Sequence, residues 1–348
     1  MFERIDIKAF GRHQAFDWHQ HSQINLIIGE NDTGKTQLLK LLYSIAKSLE
    51  LYEKRKKTTN DAWSELLAQK MMWVFQPDGF ELGRLVTRGE GNKAAVEFRF
   101  QEENLHFSFG PATTKIIKEC SSQVYQRAEV NALYLPPKEV ISAIDAIDAT
   151  RKRLEIPGFD DTYIDLIDLL RVPTSKGKIS KHLMQAMEHL QTATGGGEMK
   201  QEQGEFVFTR GREKYGMRSV AEGIRKVSVL SHLIRNLSLK SGSILFVDEP
   251  ETNLHPRAIV LFVEMLYQIA KSGVQIYMAT HSEFLLKRFE QLARENKDAN
   301  FVRLLSLTQS AERNIHYESR DLIEGLPDNP IMEQTLSLYE TDVRLDLQ

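Results

Sequence analysis

Three observations predict an α/β protein with a mixed, mainly parallel sheet. A glycine-rich loop, Gly29-Glu30-Asn31-Asp32-Thr33-Gly34-Lys35-Thr36, stands between a continuous apolar run (24–28) and a stretch with helical spacing. The second half alternates short apolar runs with amphipathic ones, as in a parallel sheet carrying helices on both faces. Between the two lie an antiparallel β unit over residues 83–109 and a mainly helical stretch over 139–192.

Each element has its own signal. Phe2, Ile5, Ile7 and Phe10 fall among charged residues, which marks a half-buried strand over 1–10. The run 24–28 is a buried strand entering a turn, and Leu38, Leu41, Leu42, Ile45 and Leu49 form a helical stripe over 37–50. Residues 51–64, with Lys54-Arg55-Lys56-Lys57, read as a solvated loop or helix end. Val96, Phe98 and Phe100 alternate, residues 101–104 turn, and Leu105, Phe107 and Phe109 alternate again. A short strand over 131–135 stops at Pro136-Pro137. Helical spacing then runs through Ile141, Ile144, Ile147, Leu166, Leu169 and Leu170, and Gly195-Gly196-Gly197 breaks it. Phe206-Val207-Phe208 and Tyr215 flank Arg210-Gly211, a hairpin signal. Helices over 221–237, 256–271 and 282–296 alternate with strands over 244–247, 274–278 and 301–307, before a polar tail at 336–348. The expected division is residues 1–138, a helical insertion at 139–205, and residues 206–348.

Composition sets outer limits. Forty-five Lys+Arg against 48 Asp+Glu give a net charge of -3, which argues against a histone-like wrapper of DNA but leaves room for a local basic patch. The hydrophobic fraction of 41% excludes a disordered chain. With Cys120 as the one cysteine no intrachain disulfide can form, which fits a reducing cytoplasm. The start lacks a basic segment followed by an apolar run, so no signal peptide is expected. The longest apolar helix candidate, 258–270, is too short to cross a bilayer and contains Glu264, so no membrane partner is expected.

Four stretches carry chemistry. The loop 29–36 fits G-x-x-x-x-G-K-[ST] between a strand and a helix, where successive N–H groups can face a phosphate. Gly29, Asn31, Asp32, Thr33 and Gly34 would form the cradle, Lys35 would meet the β- and γ-phosphates, and Thr36 would offer its hydroxyl to Mg²⁺. The apolar run 244–247 ends in Asp248-Glu249; there Asp248 can hold Mg²⁺ and Glu249 can polarise the attacking water. Thr280-His281-Ser282 follows the next strand, where His281 can donate to a γ-phosphate oxygen. Ser219-Val220-Ala221-Glu222-Gly223 opens a helix, either as a capping box from Ser219 to Glu222 or as an anion site.

In this order, the four stretches resemble the heads of ABC-type ATPases, in the branch that includes SMC, RecF and OLD proteins. Asp248-Glu249-Pro250-Glu251-Thr252-Asn253-Leu254-His255-Pro256 is similar to the OLD-type D-E-P-E-x-x-L-H-P stretch, as is Ala132-Leu133-Tyr134-Leu135-Pro136-Pro137-Lys138-Glu139 to its counterpart. The resemblance covers about residues 1–310. It implies a P-loop NTPase of ABC-ATPase type, with a mixed sheet, an antiparallel β subdomain and a helical lobe. It further implies a homodimer that sandwiches ATP, with Ser219 and Gly223 of one subunit facing Lys35, Thr36 and Asp248 of the other. Arg12 follows the first strand as does the nucleotide-reaching arginine of SMC-like heads. The signature reads S-V-A-E-G rather than serine-glycine-glycine, and Lys138 or Glu139 stands where the lobe-junction glutamine is expected.

The effector is less legible. Residues 139–200 are too short for an SMC coiled coil, and about 67 residues follow His281, too few for the acidic metal domain of OLD nucleases. Two readings remain: an ATPase switch for a separate effector, such as a nuclease in a phage-defence or DNA-repair module, or a RecF-like clamp that itself binds DNA. Candidate DNA contacts are Lys54 to Lys57 and Lys176, Lys178 and Lys181. His13, His19, His21 and Asp17 cluster in sequence without a metal-ligand spacing, and the absence of G-x-S-x-G disfavours a serine hydrolase.

Overall fold

In chain order the backbone of the computed structural model forms β1 (Phe2–Phe10), β2 (His13–Trp18), β3 (Ile24–Gly29), α1 (Lys35–Arg55), α2 (Trp63–Phe75), β4 (Ala94–Phe100), β5 (Glu103–Phe109), β6 (Glu119–Cys120) and β7 (Asn131–Leu135). There follow α3 (Ile144–Ile147), α4 (Asp161–Leu170), α5 (Lys181–Ala193), β8 (Glu198–Glu202), β9 (Glu205–Arg210), β10 (Glu213–Gly216) and α6 (Glu222–Arg235). The chain continues through β11 (Ser243–Asp248), α7 (Pro256–Lys271), β12 (Gln275–Ala279), α8 (Glu283–Asn296), β13 (Val302–Gln309), β14 (Ile315–Asp321) and α9 (Pro330–Asp346). The structure describes residues 1–55, 63–89, 91–121, 124, 130–310, 314–327 and 329–346.

A six-stranded sheet in the order β14-β13-β3-β12-β11-β7 is the centre, parallel throughout except for β14 at the edge. Every central strand is buried on both faces, which is why these strands read as unbroken apolar runs. Period-two alternation still sorts the side chains. Leu245 and Val247 of β11 and Ile276 and Met278 of β12 join one core, with Phe262, Leu266, Leu285 and Phe289 of α7 and α8. Phe246 and Tyr277 point to the other core, which holds α1, α2 and a five-stranded antiparallel sheet, β2-β1-β4-β5-β6. Helices therefore lie on both faces, as expected, and on one face α1 and α2 share the core with a second, antiparallel sheet.

The β4–β5 hairpin closes on Gln101 and Glu102, whose φ values of 49° and 69° suit a two-residue turn that twists with its strands. The basic stretch at 51–64, expected as a solvated loop or helix end, begins as the end of α1, which runs to Arg55, while Lys56, Lys57 and the rest of 56–62 lie outside the described residues. Two further expectations change. The tail at 336–348 is helical to Asp346 as the continuation of α9, whose Ile331 packs on the core. The insertion 139–205 is not helical throughout: β8 pairs with β9 across residue 205 in a three-stranded sheet with β10.

Among the described residues no helix is long and apolar enough to cross a membrane.

Candidate functional site

Because β3, β12 and β11 are parallel neighbours, their carboxyl ends open on one edge, where an open α/β sheet takes its ligands. The ladder continues past the strand ends: Glu249 N–H donates to the Ala279 carbonyl at 2.9 Å and Thr280 N–H to the Ile27 carbonyl at 3.1 Å. The loop after β3, the Asp248-Glu249 pair after β11 and Thr280-His281 after β12 are thereby held in register.

The loop curls on itself. Lys35 Nζ donates to the carbonyls of Gly29 and Glu30 at 2.9 and 2.7 Å, and Thr33 Oγ1 donates to the Glu30 carbonyl at 2.9 Å. Asp32 is left-handed at φ 64°, and Gly34 has φ 90° with space for no Cβ, which would come 2.7 Å from His13 Nε2. Asn31 and Asp32 are exposed, whereas Thr33 and Lys35 are buried. Burial lowers the Lys35 pKa, opposed by Glu249 and Asp248. Arg12 folds over the loop, its Nε donating to the Asp32 carbonyl at 2.9 Å and its guanidinium lying 3.3 Å from the Asp32 carboxylate.

Asp248 is buried and accepts from Thr36 Oγ1 and from Tyr134 OH, each at 3.1 Å. Burial pushes its carboxyl up to about 6, against the pull of those two donors. Glu249 then leaves the strand with φ 44°, a left-handed turn for a residue with a side chain. Its carboxylate lies 3.8 Å from His281 Nε2. Burial and then the Lys35 charge lower the His281 pKa, against Glu249 and Glu251, which favours the neutral imidazole. Hard oxygen donors on Thr36 and Asp248, beside a lysine and a polar loop, form a donor set that fits Mg²⁺ and a nucleoside triphosphate.

Ser219 and Gly223 lie on the segment that leads into α6. Ser219 is exposed in a turn, Met217–Ser219, and the expected capping box is absent: α6 starts at Glu222 with Ala221 at its cap and no side-chain cap bond. Val220 is buried, and Arg225 Nη1 takes the Val220 carbonyl at 2.6 Å, which draws the chain past the position a serine cap would need. Gly223 lets the helix meet the turn after Glu249, since a Cβ there would lie 2.8 Å from the Asn253 carbonyl oxygen. Of the two residues at the expected lobe junction, Glu139 turns inward to Arg225 at 2.9 Å and Lys138 is exposed. The three histidines separate as well: His13 is buried under Gly34 with its pKa lowered to about 4, His21 is half-buried beside Tyr277, and His19 pairs with Asp6 and Asp17. Among the described residues no group of His, Cys, Asp or Glu forms a metal cluster.

Sequence reasoning missed three contributors. Tyr134 reaches Asp248 from β7, Lys226 Nζ donates to the carbonyls of Glu249 and Pro250 at 3.2 and 3.4 Å, and Glu251 accepts from His281 N–H at 2.6 Å. Tyr134 stood in the quoted stretch 132–139, but its strand parity becomes informative only once the partner strand is known.

Residues 131–287 match the profile of the family described as "AAA domain, putative AbiEii toxin, Type IV TA system". A 49-residue stretch is 45% identical to the Old nuclease of Escherichia phage P2; it covers 14% of this chain and 8% of that protein. Among solved structures, an SMC head bound to the C-winged helix domain of ScpA aligns over 93% of this chain and 98% of its own, at 10% identity and a TM-score of 0.54. The Smc head with an extended coiled coil, bound to the C-terminal domain of ScpA derived from Pyrococcus furiosus, aligns over 99% of both chains at 11% identity and a TM-score of 0.53. With the loop, the carboxylate pair and the histidine on one sheet edge, the chain has the fold of the ABC-type ATPase heads of SMC proteins.

Proposed function

We propose that this protein is a Mg²⁺-dependent ATPase that closes as a homodimer around ATP and so switches a separate effector chain. The observation that supports it most is the meeting of Thr36 and Asp248 at 3.1 Å beside Lys35, with Glu249 and His281 next to them on the same edge. Lys35 would exchange its two carbonyl partners for phosphate oxygens. Gly29, Asn31, Asp32, Thr33 and Gly34 would present backbone N–H groups to the phosphates, and Arg12 would approach the nucleotide from above the loop. Magnesium held by Thr36 and Asp248, when bound, neutralises charge on the transferring phosphoryl oxygens. Glu249 would accept a proton from the attacking water, and neutral His281 would donate its ring N–H to a γ-phosphate oxygen. The exposed Ser219 and the adjoining Gly223 would face the nucleotide of the partner subunit, so a bound γ-phosphate gives ATP a higher affinity for the closed pair than for the open one.

The similarity of one segment to the Old nuclease supports an effector that acts on nucleic acid, such as a nuclease. A second reading, a DNA clamp without an effector, is favoured by the exposed Lys176, Lys178 and Lys181. Glu249→Gln tests the central step. It should bind ATP, accumulate as a dimer at twice the 40.0 kDa of one chain, and lose at least about a hundredfold in turnover. Wild-type turnover would remove Glu249 as the base. Pull-down of the tagged variant from its host with ATP and Mg²⁺ then separates the readings: a stoichiometric second protein supports the switch, and DNA alone supports the clamp.

A further inference from the structure

Glu251 has no role in the reading above beyond its place in the turn after the carboxylate pair. One of its oxygens, Oε1, accepts from His281 N–H at 2.6 Å and from Thr280 Oγ1 at 2.9 Å. The other, Oε2, is buried without a hydrogen-bond partner. An unsatisfied buried oxygen destabilises the fold, a cost that a small apolar residue in this turn would not carry. The turn itself is fixed from the opposite side. Lys226 holds the Glu249 and Pro250 carbonyls, Thr252 N–H donates to the Glu249 carbonyl at 3.3 Å, and Leu254 N–H donates to the Glu251 carbonyl at 3.0 Å. Glu249 and His281 are thus anchored to one short turn, the first through its backbone and the second through the Glu251 carboxylate.

We infer that Glu251 is a positioning residue for hydrolysis, holding the Thr280–His281 backbone so that the imidazole faces Glu249. The inference rests on the roles proposed above for Glu249 and His281. The bond is made to backbone N–H, so it sets where the histidine stands. Glutamine keeps an oxygen that can accept both donors, whereas alanine keeps none.

The full chain, labelled with ¹⁵N-histidine, provides the test, with ATP turnover and the affinity of a fluorescent ATP analogue measured alongside. Glu251→Ala should move the His281 amide resonance and lower kcat about tenfold to a hundredfold while analogue affinity stays within about twofold. Glu251→Gln should return the resonance towards its wild-type position and recover at least about a third of kcat. Thr280→Val, which removes one donor and leaves the backbone bond, should lower kcat by about twofold to fivefold, and with Glu251→Gln it carries the test if the alanine variant does not fold. An unmoved His281 amide, unchanged turnover in Glu251→Ala, or a parallel loss of affinity and kcat would overturn the inference. Failure of the parent reading looks different: Glu249→Gln would turn over normally while the His281 amide still responded to Glu251→Ala.

Discussion

At Asp248, binding and stability pull in opposite directions. Its carboxyl is raised to about 6 by burial, and the unfolded value is near 3.9. The folded state therefore holds its proton over a window in which the unfolded chain has lost it. Stability then falls as pH rises from about 4 to about 6 and is level above, a cost of about 3 kcal/mol at neutral pH. Asp248→Asn should raise the melting temperature at pH 7 in metal-free buffer, and the gain should vanish near pH 4; a variant that melts lower at pH 7 would show the carboxylate to be a net stabiliser. The wild-type metal site should weaken about tenfold per pH unit below 6, since the ion must displace the proton, and calorimetry in buffers of different ionisation enthalpy should register proton release. The sequence exposed Asp248 as a candidate because an acid after an unbroken apolar run can be read locally. It could not expose Tyr134, 114 residues away, or the inward turn of Glu139 to Arg225, because both depend on which strands and helices become neighbours.

Between elements, a buried polar clamp joins α2 and α4. Lys70 is buried and its Nζ meets Asp161 at 2.7 Å and Asp165 at 2.9 Å. Its pKa is raised: burial pushes it down, and Asp165 and Asp161 together push it up further. Arg151 completes the set, 2.9 Å from Asp161 with its guanidinium 3.2 Å above the Trp73 ring, and Tyr43 of α1 donates to Asp165. Truncating one member leaves the others charged and unpaired. Lys70→Met should cost about 3–5 kcal/mol in urea titration, whereas Arg84→Ala, which loses a surface pair with Glu81, should cost under about 1. Equal small losses would mean that water reaches the α2–α4 junction. Elements were legible in proportion to their periodicity. Strands β3, β11 and β12 and helices α1, α7 and α8 stood out because each has a single pattern over its length. Helix α2 is apolar nearly all round, with Lys70 set into it, and no stripe marks it. Strand β8, Glu198–Glu202, is mostly polar and becomes a strand by pairing with β9.

Over the whole molecule, the six-stranded sheet divides two cores and places the candidate site at its edge, with α6 and the surface-exposed Ser219 leading away from it. Closure of a pair would then be a surface event, and the effector question becomes one of which further surface is charged. Lys176, Lys178 and Lys181 are exposed on one stretch of a chain whose net charge is -3. Each phosphate neutralised adds about -0.9 to the slope of log affinity against log salt, so three lysines give about -2.7. Such a slope is that of weak, non-specific binding, and acidic surface elsewhere reduces it further. Titrating duplex DNA into the ATP-bound Glu249→Gln protein at several salt concentrations should therefore give a slope no steeper than about -3, with binding lost when the three lysines are reversed to glutamate. A slope near -6, or binding indifferent to the reversal, would demand a basic surface beyond these lysines and would move the balance from switch to clamp.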